Sequence, residues 1–142
     1  MAFWASVNAI LQHSGYRKDR KLAEQTSAAN DSIPANISEG SEQPTDGAFA
    51  NYLFHAKGSL GEVLSRLREA RTKRYLTDEE LALRLTQGES LSRSLGAFIR
   101  YLDACRWKDR GRYLSRQRQH SREDSGSPGR PDQGPGTRTR DS

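Results

Sequence analysis

The chain has 142 residues, of which 33% are hydrophobic and 29% are charged. This length allows one domain with a modest core and some additional chain. No run approaches the roughly 18 to 20 apolar residues of a membrane span, and the opening residues lack the basic start and cleavage site of a secretory signal. We therefore expect a cytoplasmic protein with no membrane partner.

The formal net charge of +5 is not shared evenly along the chain. Residues 1–105 carry 13 Lys and Arg against 13 Asp and Glu, whereas residues 106–142 carry ten against five. The excess of positive charge lies entirely in the C-terminal part. For residues 1–105, a prediction of nucleic-acid binding must therefore rest on local basic clusters.

Cys105 is the single cysteine, and the three histidines are scattered. One thiol cannot form an internal disulfide, and these spacings do not match a zinc site. We therefore expect no metal and no other cofactor.

Two helical segments are predicted in the first 40 residues. Phe3–His13 has apolar residues on one face, and Gly15 is expected to end this helix. Residues 19–39 repeat apolar residues at helical spacing through Pro34, and Gly40 is well placed as a left-handed residue after the helix end. Because a proline ring removes an amide donor and crowds a preceding carbonyl group, we expect this second helix to kink or open at Pro34.

Two longer helices follow. An amphipathic stripe predicts a helix from Thr45 to about residue 75, with Thr45 itself or the next residue as its N-cap. Thr77 and Glu80 have the T-x-x-E spacing of a capping box, and a second stripe predicts a helix from there to about Cys105. Two long antiparallel helices joined by a short turn form an αα hairpin.

The four segments together predict the architecture. Each is apolar on one side only and cannot bury that side alone, and no stretch alternates as a strand does. We therefore predict an all-α, antiparallel up-and-down four-helix bundle with a short first helix over residues 1–105. Residues 106–142 are predicted to form a basic, largely disordered tail, because residues 121–142 have too few apolar groups to offset chain entropy.

The first part of the tail has an unusual composition. Arg106–Arg122 contains seven basic residues and one acidic residue, together with Trp107 and Tyr113. Interleaved basic and aromatic residues can contact phosphates and stack on the bases of single-stranded nucleic acid. A solvated helix extension with incidental charge explains the same composition, as does translation past an earlier end of the gene.

Three motifs distinguish the chain from an arbitrary helical bundle: SIPANISEG at Ser32–Gly40, HAKGSLGEVLSRL at His55–Leu67 and YLTDEEL at Tyr75–Leu81. With these motifs, residues 22–102 resemble the four-helix-bundle family of 23S rRNA intervening sequence proteins. Family members usually have a longer first helix and end sooner after the fourth.

The resemblance implies a four-helix-bundle protomer that assembles into a ring-shaped homopentamer and has no enzymatic activity. Genes of the family often lie within insertions in large ribosomal RNA genes. A related branch assists the reverse transcriptase of diversity-generating retroelements. Those relatives are basic and bind nucleic acid.

The motif residues have structural and functional interpretations. Asn36 and Glu39 are expected to support the turn at Pro34, and their less favoured interpretation is a ligand site. Gly58 and Gly61 are predicted to let helices approach closely, with Glu62 pairing with an arginine. The predicted structural motif consists of Pro34, Asn36, Glu39, Gly40, Gly58, Ser59 and Glu62.

A catalytic interpretation has little support. The two glutamates, Glu39 and Glu62, resemble an acid and base pair, but no histidine, metal set or glycine-rich phosphate loop accompanies them. We therefore expect no enzymatic activity.

Two basic clusters precede the tail. YRKDRK lies near the start of the second helix, where the helix dipole disfavours positive charge, and RLREARTKR lies at the end of the third, where the dipole favours it. The candidate nucleic-acid-binding residues are Arg17, Lys18, Arg20, Lys21, Arg66, Arg71, Arg74, Arg106, Lys108, Arg110 and Arg112. The sequence predicts a non-enzymatic oligomer that binds RNA or DNA nonspecifically as an accessory factor. The alternative is a structural or protein-interaction module of the same fold with no nucleic-acid role.

Overall fold

A computed structural model of the chain describes residues 2–126, with side chains for residues 2–105 and 118–122. Within these residues there are five helices and no strand. The helices are α1 Ala2–Leu11, α2 Ser14–Lys18, α3 Arg20–Ser41, α4 Asp46–Thr72 and α5 Asp78–Gly126. The prediction of an all-α helical bundle is confirmed. By its contacts the chain divides between Trp107 and Lys108, whereas the sequence placed the boundary at residue 105.

The antiparallel pair of α3 and α4 forms the centre of the bundle. Most buried residues of α4 are three or four positions apart, which places them on one face of the helix. Each fully buried Val or Leu contributes about 1.5–3 kcal/mol. The apolar core includes Phe3, Val7, Ile10, Leu22, Ile33, Leu53, Leu60, Val63, Leu67, Leu95 and Leu102.

Two helix starts have the caps that the sequence predicted. The amide of Ala48 donates to Thr45 Oγ1 at 3.2 Å. At the start of α5, the amide of Glu80 donates to Thr77 Oγ1 at 3.1 Å, and the amide of Thr77 donates to Glu80 Oε1 at 3.0 Å. The predicted capping box is thus confirmed. These bonds satisfy amides that have no partner within the helix.

The turn between α4 and α5 ends α4 slightly earlier than predicted. Arg74 has a φ of 64°, and its amide donates to the carbonyl of Arg71 at 2.9 Å. The amide of Tyr75 donates to the carbonyl of Ala70 at 2.9 Å, which completes a Schellman ending. The left-handed residue is therefore an arginine and not the usual glycine.

Several glycine predictions are wrong. Gly15 lies inside α2, and Gly40 lies buried inside α3 with no positive φ. A β-carbon on Gly40 would lie 2.7 Å from Tyr52 Cβ, so tertiary packing explains this glycine. The reverse holds at Gly58 and Gly61, where an added β-carbon would meet open space, so neither permits a close helix approach within the described part of the chain.

The second predicted helix ends close to its expected bound, whereas the fourth continues further than expected. α3 runs through Pro34 without a break in the helix. α5 does not end at Cys105 but reaches Gly126, so residues 121–126, predicted to be disordered, are helical. Residues 127–142 lie outside the described part of the chain. None of the described helices combines the length and the apolar character needed to cross a bilayer.

Candidate nucleic-acid interface

The corner between α2 and α3 is organised by Asp19. Its Oδ1 accepts from the amide of Leu22 at 3.2 Å and so caps α3. Its Oδ2 accepts from the Tyr75 hydroxyl at 2.9 Å and from Lys73 Nζ at 3.1 Å. The bonds from Tyr75, Lys73 and the Leu22 amide hold the pKa of Asp19 below its usual range. Asp19 therefore ties the start of α3 to the turn after α4.

This tie brings the two predicted basic clusters to the same end of the molecule. A polar cleft of about 360 Å³ lies between them. Its lining includes Lys21 from the first cluster and Arg66 from the second, together with the carboxylates of Asp19 and Glu69. Because α3 and α4 are antiparallel, the first residues of one meet the last residues of the other.

The second cluster is largely neutralised by ion pairs. Arg66 Nη1 lies 3.2 Å from Glu69 Oε2, and Arg71 pairs with Asp78, which raises the pKa of Arg71. Lys73 pairs with Asp19. Arg74 is exposed, but its position follows from the turn geometry described above. This cluster therefore presents less free charge than its sequence indicates.

The first cluster is free of such pairing. Arg17, Lys18, Arg20 and Lys21 are all exposed, and among the described residues no carboxylate lies within ion-pair distance of any of them. Arg20 and Lys21 begin α3, whose first turn has no acidic residue. Cations at a helix N-terminus are unfavourable by about 0.3–1 kcal/mol each. These four side chains form the free basic corner of the bundle.

The Pro34 motif forms hydrogen bonds within α3 and one contact with α4. The Asn36 side-chain amide donates to the Ser32 carbonyl at 2.8 Å and to Ser32 Oγ at 2.9 Å, and Ser32 Oγ lies 2.9 Å from Ser59 Oγ on α4. Glu39 and Glu62 are exposed, and no arginine lies within ion-pair distance of Glu62 among the described residues. The structure thus joins Asn36 and Ser59 in one network and leaves the two glutamates outside it.

The remaining predicted contacts cannot be placed. The side chains of Arg106, Lys108, Arg110 and Arg112 lie outside the described residues. The same is true of Trp107 and Tyr113 in that segment.

Sequence reasoning missed two polar groups that shape the bundle. Asp19 had one available signal, because an aspartate directly before a helix is a preferred N-cap. Arg84 had none: it is 7% exposed, and its Nε and Nη2 donate to the Ser6 carbonyl at 3.1 and 2.9 Å. Burial lowers the pKa of Arg84, and its Nη1 donates to the Glu80 carbonyl at 2.9 Å. The two bonds to the Ser6 carbonyl attach α1 to α5.

A family model described as 23S rRNA-intervening sequence protein matches residues 1–97. The match therefore includes the short first helix as well as the motifs of the second, third and fourth predicted helices. No curated protein matches the chain.

Proposed function

Since the chain belongs to the family of 23S rRNA-intervening sequence proteins, we propose that it is a non-enzymatic accessory protein that binds the phosphates of RNA or DNA without sequence specificity. The observation that supports this proposal is the free basic corner at Arg17, Lys18, Arg20 and Lys21. Two of its cations stand at a helix start, where they reduce local stability. Unpaired charge kept at such a position is typical of a surface that contacts an anionic partner.

The same proposal includes assembly into a homopentamer, as the resemblance of the sequence implies. Five copies would repeat the free basic corner five times. Repetition on one particle converts weak phosphate contacts into measurable binding. The mass of the protein in solution tests this part directly, and a protein that stays monomeric at all concentrations would contradict it.

A salt titration tests the nucleic-acid proposal. We would measure the fluorescence anisotropy of a labelled single-stranded RNA as protein is added, at several salt concentrations. The unaltered full chain is compared with a variant in which Arg17, Lys18, Arg20 and Lys21 are all replaced by glutamine. The binding constant K falls as salt rises, and each phosphate contact removed should make the slope of log K against log salt shallower by about 0.7. The fourfold replacement should therefore make it shallower by up to about 2.8. As a control, Arg68→Gln removes an exposed cation near the same end that is not a candidate contact, and it should change the slope less per charge removed.

Two outcomes would redirect or reject the proposal. If binding survives the fourfold replacement but is lost on removal of residues 106–142, the tail makes the contact and the free basic corner does not. If the unaltered chain shows no binding at low salt, the nucleic-acid function is wrong.

A second candidate function is a protein-interaction module with no nucleic-acid role. It is favoured by large apolar side chains that stay exposed: Phe54 is 66%, Leu83 53% and Tyr101 63% exposed. Exposed apolar groups of this size often mark interfaces. Under this alternative, Phe54→Ser or Tyr101→Ser would change the assembly while RNA binding stays undetectable in every variant.

A further inference from the structure

Two cationic side chains converge over Gly96, in the middle of α5. A methyl group built on Gly96 would lie 3.4 Å from Lys57 Nζ, which reaches across from α4, and 3.5 Å from Arg100 Nη1. Because both distances are measured from the same β-carbon position, Lys57 Nζ and Arg100 Nη1 lie within about 7 Å of each other. Gly96 is buried, while Lys57 and Arg100 are both exposed.

This pair has no counter-charge within the described part of the chain. No Asp or Glu carboxylate there lies within ion-pair distance of Lys57 or Arg100. Like charges at this separation repel, and an anion placed between them would remove the repulsion. The arrangement is therefore one that an anion would stabilise.

Packing within the chain does not explain the glycine. At Gly88 in the same helix an added β-carbon would lie 2.7 Å from Leu64 Cδ2, so that position has no room for a larger residue. At Gly96 the nearest atoms would be at ordinary contact distance, and alanine is the better helix former. The space that the missing side chain leaves lies between two cationic groups.

We propose that Lys57 and Arg100, whose charged groups lie over Gly96, form a second phosphate-binding site, which takes a phosphodiester group of a nucleic acid. The site rests on the proposed function but is separate from the free basic corner. Lys57 lies 15 residues before Thr72, the last residue of α4, which is about 22 Å along the helix from the end beside the free basic corner. A lysine and an arginine on either side of a phosphate give it both a point charge and a planar fork of donors.

The test compares Arg100→Gln with Arg93→Gln. Both variants remove one exposed cation from the same helix, so they differ only in the group over Gly96. Against labelled single-stranded RNA, Arg100→Gln should lower the salt slope by about 0.7, the value for one phosphate contact, and Arg93→Gln should leave it unchanged. Equal slopes for the two variants would overturn the site, because net charge alone would then explain the effect.

A second measurement uses inorganic phosphate and the backbone amide signal of Gly96. Phosphate, compared with chloride at equal ionic strength, should shift this signal in the unaltered chain but not in Lys57→Gln. Gly96→Asp places a carboxylate between the cations and should abolish the phosphate shift of the amide at position 96, whereas Gly96→Ala leaves both cations in place at ordinary contact distance and should retain that shift. If phosphate causes no shift in the unaltered chain, the site is wrong.

These measurements separate failure of the site from failure of the proposed function. A phosphate shift without an effect of Arg100→Gln on RNA binding would overturn the nucleic-acid assignment, since the site would then serve free phosphate. If the fourfold replacement leaves the salt slope of RNA binding unchanged while Arg100→Gln makes it shallower, only the free basic corner is rejected.

Discussion

Gly40→Ala should destabilise the bundle through the contact between α3 and α4. The new β-carbon would lie 2.7 Å from Tyr52 Cβ and 2.8 Å from Phe49 Cδ2. Carbon atoms in good contact are about 3.5–4.0 Å apart, so the helices must separate by several tenths of an ångström. Tyr52 Cβ is attached directly to the backbone of α4 and cannot rotate away.

The cost can be bounded from these contacts. Overpacking of this kind costs about 1–3 kcal/mol, and the better helix propensity of alanine offsets about 0.5–1 kcal/mol of it. Gly58→Ala is the matched control, because the same substitution there meets open space. It should gain about 0.5–1 kcal/mol from propensity alone. The two variants should therefore differ by about 1–3 kcal/mol.

Urea unfolding followed by circular dichroism measures this difference. Gly58→Ala should raise the urea midpoint above that of the unaltered chain, and the midpoint of Gly40→Ala should lie below that of Gly58→Ala. If both variants unfold in one step, the free energy of unfolding should depend on urea with a similar slope in each. If the two substitutions raise the midpoint equally, α3 and α4 do not approach at Gly40 as described here.

Three further predictions concern the helix ends. Arg74→Gly should raise stability by up to about 1 kcal/mol in the same unfolding assay, because glycine adopts the positive φ without strain, whereas Lys73→Gly should lower it. Thr77→Ala should cost about 1 kcal/mol by removing the capping box, and equal stability of this variant would contradict the role of that box. The pKa of Asp19 is lowered in the folded chain, so its bonds stabilise the fold at pH values above the usual carboxyl range, and this stabilisation is lost as the pH falls through the lowered pKa. In unfolding measured against pH, Asp19→Asn should be less stable than the unaltered chain at neutral pH and should not show this loss in acid.

Local features of the sequence predicted the helix starts well. Thr45 and the Thr77–Glu80 pair satisfy amides within four residues of themselves, so their signal lies in the adjacent sequence. The amphipathic stripes predicted the buried face of α4 for the same reason, because helical spacing fixes which residues share a side.

Features that depend on distant residues could not be predicted in this way. Gly40 has the sequence position of a helix end, but its role depends on Phe49 and Tyr52 of the next helix. The free charge of the second basic cluster was overestimated because Lys73 finds Asp19 across 54 positions. The length of α5 was underestimated because its stripe of apolar residues stops near Cys105, whereas the helix runs to Gly126.

The hydrogen bonds of Arg84 also have a consequence for the order of folding. Its guanidinium group meets the Ser6 carbonyl across 78 positions of chain, whereas α3 and α4 pair through a short turn. Closing a loop of that size costs roughly 2.6 kcal/mol more than closing a turn of about four residues. We therefore expect the α3–α4 hairpin to form early and α1 to dock late. In amide hydrogen exchange, α1 should open before the rest of the bundle, and each opening would leave Arg84 without its carbonyl acceptor on α1.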